Sequence, residues 1–242
     1  MSLATRYKGI FVFDDGEPLC PNVRPKDAAV LILYRRQRGK IRILMGRRNS
    51  RHAFLPGRFV FPGGRIEPAD QRLGVTTNLR RDVLAKVAYG ITKTRAKGLA
   101  LAAIRETYEE TGLIVGARGN HLPPTRSPSW QRFLSHGYAP KLEALDFIAR
   151  AITPPGRPRR FDARFFMVSA DENATSLQVA SSDGELKDLS WMTFDEARAA
   201  DIIPITRCII DEIEWRLTDG ADLIRKVPFF IPQRGKAIIK EL

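Results

Sequence analysis

Cysteine is nearly absent: Cys20 and Cys208 are the only two in 242 residues, far apart and at no metal-binding spacing. They leave no disulfide framework and suit a reducing interior. Long apolar runs are missing too. The longest, AAVLILY at 28–34, is far too short to cross a bilayer, so no membrane partner is expected. The opening MSLATRYKGIFVFDDGEP meets Asp14 and Asp15 after only a few apolar residues, which leaves no signal-peptide core. A cytoplasmic location is the default expectation. Histidine is scarce, and His52, His121 and His136 share no ligand spacing, so they read as structural or surface residues. Repeats and low-complexity tracts are not found.

Acid is also in short supply. Against 27 Asp and Glu stand 40 Lys and Arg, a net charge of +13. Such a surface attracts polyanions. The basic residues are dispersed in short groups, YRRQRGK at 34–40, GRRNSR at 46–51 and GRPRRF at 156–161, without interleaved aromatic stacking residues. A solvated basic surface is therefore favoured first, help with a phosphorylated substrate second, and nucleic-acid binding last.

What is present is a mixture of strands and helices. AAVLILYRR and IRILMGRR read as strands around the turn QRGK, and RFVF at 58–61 as a third, stopped by Pro62 and a Gly63–Gly64 turn. Residues 78–98 turn helical, and a second helix is expected over about Leu99 to Thr111, ended by Gly112. SWQRFLSHG suggests a short helix in a Pro-rich stretch, and FDARFFMVS and LKDLSWMT suggest strands. A short helix at 195–200 with Thr193 as N-cap and a longer one at 205–217 follow. Elements mixed without strict alternation argue for an α+β (mixed α/β) fold. Trp191 and Phe165 fit core strands better than a base-stacking platform.

In LAAIRETYEETGL, residues 101–113, Glu106, Glu109 and Glu110 share one helix face. Their mutual repulsion is worth a few tenths of a kcal/mol per pair, roughly, and the helix C-terminus disfavours anions further. Two local rules broken in one turn point to function. A divalent cation resolves the conflict, and Mg²⁺ takes oxygen ligands while keeping waters that a phosphate can replace. Arg105, four residues before Glu109, can orient that carboxylate through a bidentate pair. Upstream, FVFPGGRIEPAD at 59–70 offers a glycine loop that lets main chain approach a phosphate or metal closely.

Together these stretches resemble the signature of the Nudix hydrolases, G-x5-E-x7-R-E-U-x-E-E-x-G-U with U apolar. Gly64 matches its first glycine, and Arg105, Glu106, Glu109, Glu110, Gly112 and Leu113 match its second half. The position of the first glutamate holds Asp70, 34 residues (71–104) replace the seven before the arginine, and Thr107 stands where an apolar residue is usual. Gly57, Phe61, Pro62, Gly63, Gly64 and Asp70 also match a segment of the branch containing acyl-CoA diphosphatases, with Glu67 in place of an Asp. RRFDARFF at 159–166 is similar to that branch as well, and LSWMTFDEA at 189–197 to a late strand and helix of the family fold.

The resemblance implies a Nudix-type α/β/α sandwich with a central mixed sheet. It implies a single domain over 1–242, with a helical insertion at about 71–98 and a Pro-rich one at about 119–160. The implied activity is hydrolysis of a nucleoside diphosphate linked to another group, with CoA or acyl-CoA first among substrates. ADP-ribose, a dinucleotide or capped RNA is the second choice, and a non-catalytic nucleotide-binding protein the third. Glu106, Glu109, Glu110 and the Gly64 carbonyl are implied ligands of Mg²⁺ or Mn²⁺, and Arg105 their orienting partner. The general base is left between a box glutamate and a loop acid such as Glu185. Arg47, Arg48 and Arg51, with Gly63 and Gly64, are candidates for substrate phosphates. A homodimer is left open.

Overall fold

Residues 28–33 of the first strand are almost uniformly buried, with no polar alternation, as in a strand covered on both faces. The computed structural model describes residues 23–49, 56–75, 77–119, 122–176, 186–218, 226–233 and 236–242. In it β1 (Lys26–Gln37) and β2 (Lys40–Arg48) form a hairpin whose Arg38 and Gly39 both take positive φ, 51° and 73°. That backbone matches the twist of the flanking strands. β3 (Phe59–Val60) and β4 (Gly63–Arg65) follow, then α1 (Pro68–Arg72), α2 (Arg81–Val87) and α3 (Lys93–Thr111). β5 (Leu113–Arg118) leaves α3 through Gly112, which takes the left-handed C-cap at φ 72°.

Next come α4 (Pro128–Leu134), β6 (Tyr138–Pro140), a 3-10 turn (Leu142–Ala144), β7 (Asp146–Ile152) and β8 (Phe161–Ser169). α5 (Ala170–Asn173), β9 (Ala174–Ser176), β10 (Leu186–Met192), α6 (Phe194–Ala199) and α7 (Pro204–Thr218) lead to the hairpin β11 (Pro228–Gln233) and β12 (Lys236–Glu241).

The main sheet runs β10-β2-β1-β8-β7-β11-β12, with β3 added to β2 and β4 to β1. Pairings β1–β8 and β7–β11 are parallel and the others antiparallel, so the sheet is mixed. β6, β5 and β9 make a second, three-stranded sheet. Side chains of β1 divide by parity. Ala29, Leu31 and Leu33 join one core with Leu99, Ala102, Ala103 and Phe166, while Ile32 joins another with Ile43, Ile148, Cys208, Ile209 and Ile213. Helix α3 thus covers one face and α7 the other. This is an α/β/α sandwich of mixed α/β composition.

Three local expectations change. Gly63 and Gly64 are not a turn: with Arg65 they form β4, paired to β1 at Ala28–Val30. A Cβ on Gly63 would lie 2.5 Å from the Ala29 carbonyl oxygen, so glycine is needed here for close strand approach. Second, the helix expected over 78–98 ends at Val87, and α3 begins at Lys93 rather than near Leu99. Gly90 takes φ 77° between them, and Thr92 caps α3 by accepting from the Arg95 N–H at 3.2 Å. Third, the Pro-rich stretch 119–160 contributes β7, which lies inside the main sheet between β8 and β11. The expected N-cap at Thr193 is present and reciprocated by Glu196.

Candidate active site

The register of β4 on β1 sets Gly63 and Gly64 beside the last turns of α3. The Glu110 carboxylate accepts from the Gly63 N–H at 2.9 Å, which fastens β4 to the helix. A Cβ on Gly64 would fall well inside contact distance of the Glu106 carboxylate. Glycine at 64 is therefore what allows Glu106 to lie over the β4 backbone.

Arg105 organises the rest. It is 2% exposed, and each of its five N–H groups has an acceptor. Nε and Nη2 donate to the two oxygens of Asp70 at 2.9 and 3.0 Å, Nη1 to Glu106 at 3.0 Å and Glu109 at 2.9 Å, and Nη2 also to the Arg65 carbonyl at 3.0 Å. Burial alone would lower its pKa; the Asp70 hydrogen bonds and the charges of Glu106, Asp70 and Glu109 outweigh this and raise it. The guanidinium is permanently charged. The bidentate partner is Asp70, not Glu109, which receives a single bond.

Asp70 is fully buried. Besides Arg105 it accepts from the Trp130 indole N–H at 2.9 Å and from the Glu67 backbone N–H at 2.8 Å, so each of its oxygens takes two donors. Thr107, the polar residue at an apolar box position, is also fully buried; its hydroxyl donates to the Ala103 carbonyl at 2.8 Å within the helix. Tyr108 meets His136 Nε2 through its hydroxyl at 2.7 Å and stacks edge-on against Phe133. Burial raises its pKa first, with Glu109 adding to the shift.

The structure thus brings Arg105, Glu106, Glu109, Glu110, Gly63 and Gly64 together. Arg47 and Arg48 lie at the end of β2. Arg47 faces Asp188 at 3.4 Å and sits over the Phe59 ring, while the Arg48 carbonyl accepts from Gly57 N–H. Arg51, Glu185, His52 and His121 lie outside the described residues. Phe165 belongs to the core, and Trp191 packs against the other core with the Arg35 guanidinium 4.2 Å above its ring. Sequence reasoning passed over Trp130 as a member of this site. Its indole reaches Asp70 from 60 residues away, and no local pattern signals such a bond. Asp70 did carry a signal, its spacing from Gly64.

The donor set suits a hard divalent cation: carboxylate oxygens on one helix end facing a backbone with no side chain at 64. Among the described residues, no three His, Cys, Asp or Glu side chains already converge as ligands. Arg105 Nη1, shared by Glu106 and Glu109, holds those two carboxylates toward itself.

The NUDIX domain family model matches residues 24–213. The chain belongs to that family. A Caenorhabditis elegans protein described as a nudix hydrolase is 24% identical over 162 residues, 62% of this chain and 46% of that protein. The chain therefore spans about half the length of that relative. A crystal structure of a NUDIX hydrolase from Alicyclobacillus acidocaldarius has the same fold, with TM-score 0.57 and 24% identity, covering 78% of this chain and 90% of that one. No helix among the described residues is long and apolar enough to cross a membrane.

Proposed function

We propose that this Nudix-family chain is a divalent-metal-dependent diphosphatase acting on a nucleoside diphosphate linked to another group. The observation that carries the reading is the Arg105 hub, whose Nη1 holds both Glu106, which lies over Gly64, and Glu109, with Asp70 buried behind. Glu106, Glu109, Glu110 and the Gly64 carbonyl are the residues that would hold Mg²⁺ or Mn²⁺. When bound, the ion supplies charge neutralisation on the phosphoryl oxygens and lowers the pKa of a coordinated water.

In the overall reaction, water adds to one phosphorus of the P–O–P link, the bridging P–O bond breaks, and two phosphate-terminated products leave. The chain's own Arg105 keeps Glu106 and Glu109 oriented through a guanidinium that cannot lose its proton. The attacking water's proton passes to a box glutamate or to Glu185. Arg47, Arg48 and Arg51 supply charge for the substrate phosphates. CoA or acyl-CoA is the favoured substrate because Gly57 to Asp70 is similar to the segment of acyl-CoA diphosphatases. An intact RETYEETG stretch argues against a purely binding role.

The test is incubation of the purified chain with Mg²⁺ or Mn²⁺ and CoA, acyl-CoA, ADP-ribose, NADH, a dinucleoside polyphosphate and capped RNA. Products are resolved by chromatography, with Glu109→Gln as control. Release of 3′,5′-ADP from CoA substrates is expected, and a loss of orders of magnitude in turnover for the folded variant. Preference for another substrate would keep the chemistry and replace the CoA assignment. Near wild-type turnover in Glu109→Gln would remove the mechanism.

A further inference from the structure

The Arg105 hub leans on a residue that lies in neither half of the box. Trp130, on α4, is fully buried. Its Nε1 donates at 2.9 Å to Asp70 Oδ1, the same oxygen that receives Arg105 Nε at 2.9 Å. Asp70 cannot swing away from Arg105 without leaving this indole N–H buried and unpaired, which is costly. Nor can Arg105 follow a displaced Asp70 without loosening Glu106 and Glu109, since one guanidinium serves all three. The indole is itself fixed by an edge-on contact with Phe133, whose ring also meets Tyr108 of α3. Helix α4 therefore reaches the box helix by a polar route and an aromatic one.

We infer that Trp130 is a positioning residue of the hydrolytic site: its indole N–H locks Asp70, and through Asp70 and Arg105 it sets where Glu106 and Glu109 present their oxygens to the cation. The inference rests on the function proposed above. Within it, the segment ahead of β6 takes a new role, as the part of the chain that completes the cation site from outside it. A tryptophan needed only for packing predicts something different, because phenylalanine would fill most of the same space without the donor.

The experiment uses the full chain and Mn²⁺ itself as probe. Mn²⁺ binding is followed by the electron paramagnetic resonance signal of the free ion, in wild type, Trp130→Phe and Ile209→Val. The last trims the core on the opposite face of the sheet and controls for lost packing. Trp130→Phe is expected to weaken Mn²⁺ binding by about tenfold, the lower end for residues that orient metal ligands, and to lower kcat with little change in nucleotide KM. Ile209→Val is expected to lose stability and keep wild-type Mn²⁺ affinity. Equal Mn²⁺ affinity in wild type and Trp130→Phe would overturn the inference while leaving the hydrolase reading intact, as would an equal loss in both variants. If Trp130→Phe fails to fold, Trp130→His, which retains a ring N–H, replaces it; Mn²⁺ affinity nearer wild type than in Trp130→Leu supports the inference, and equal affinities overturn it. Wild type that binds no Mn²⁺ would overturn both readings together.

Discussion

Asp70 shows how much one carboxylate can carry when it is removed from water. With no exposure and donors from Arg105, Trp130 and the Glu67 backbone, its charge is matched by a guanidinium that is itself 2% exposed. Removing one partner of a buried pair costs about 3–5 kcal/mol, and Arg105 would keep Glu106 and Glu109 but lose the one fully buried counter-charge of its three. Asp70→Asn should lose stability of that order, seen as a lower midpoint in urea unfolding at unchanged slope. Loss below 1 kcal/mol, roughly the value of an exposed pair, would mean that the buried network is not formed. Gly64→Ala should behave oppositely. The added methyl meets only the far end of the flexible Glu106 side chain and no backbone, so the carboxylate is displaced while the fold persists. Mn²⁺ affinity should fall by at least about tenfold, as for other changes that misdirect a ligand, with far-ultraviolet circular dichroism unchanged. If affinity holds, Glu106 is not a ligand.

Helix α3 is where local rules and tertiary demands conflict most openly. Glycine in a helix interior usually costs about 1 kcal/mol relative to alanine, so Gly98→Ala would be expected to stabilise. Here a Cβ would lie 2.6 Å from Gln71 Cγ and 2.9 Å from Ile66 Cδ1. Those side chains would have to shift while the Gln71 Cα stands at 3.3 Å, and overpacking costs about 1–3 kcal/mol. The substitution should therefore lower the thermal midpoint; a rise would show that these neighbours yield easily. The helix boundary expected near 98 falls inside α3. Glycine reads as a breaker, whereas this one is a point of close helix approach. The strands β1 and β2 were legible because branched apolar runs flank the turn QRGK, β8 and β10 as short strand-like stretches, and the glutamates of α3 because helix spacing groups them. β4 was not, since its pairing comes from the Ala28–Val30 backbone rather than from side-chain pattern. β7, DFIARAI, sat in a Pro-rich surround that masked it. The Arg105 partners divide the same way: Glu109 four residues on was visible, but the fork to Asp70 spans 35 residues and only the family spacing hinted at it.

At the scale of the molecule, one sheet is covered by two unlike layers, and Cys208 reports on the one away from the site. It sits on α7, fully buried in the core formed with Ile32, Ile43 and Ile213. Burial, with a smaller contribution from Asp211, pushes its thiol up to about 12. At pH 8 the thiolate, the reactive form, is then on the order of 10⁻⁴ of the folded population, against a substantial share in an unfolded chain. Iodoacetamide should leave Cys208 unmodified in the native protein, as read from its own peptide by mass spectrometry so that Cys20 does not interfere. Across a urea series the onset of labelling should coincide with the loss of helical circular dichroism, because α7 cannot expose Cys208 without opening the core that β1, β2 and β7 share with it. Labelling well before that loss would show α7 detaching as a separate unit of lower stability. The two faces of the sandwich would then unfold independently, and the face bearing Arg105 and the glutamates would have to be stable without it.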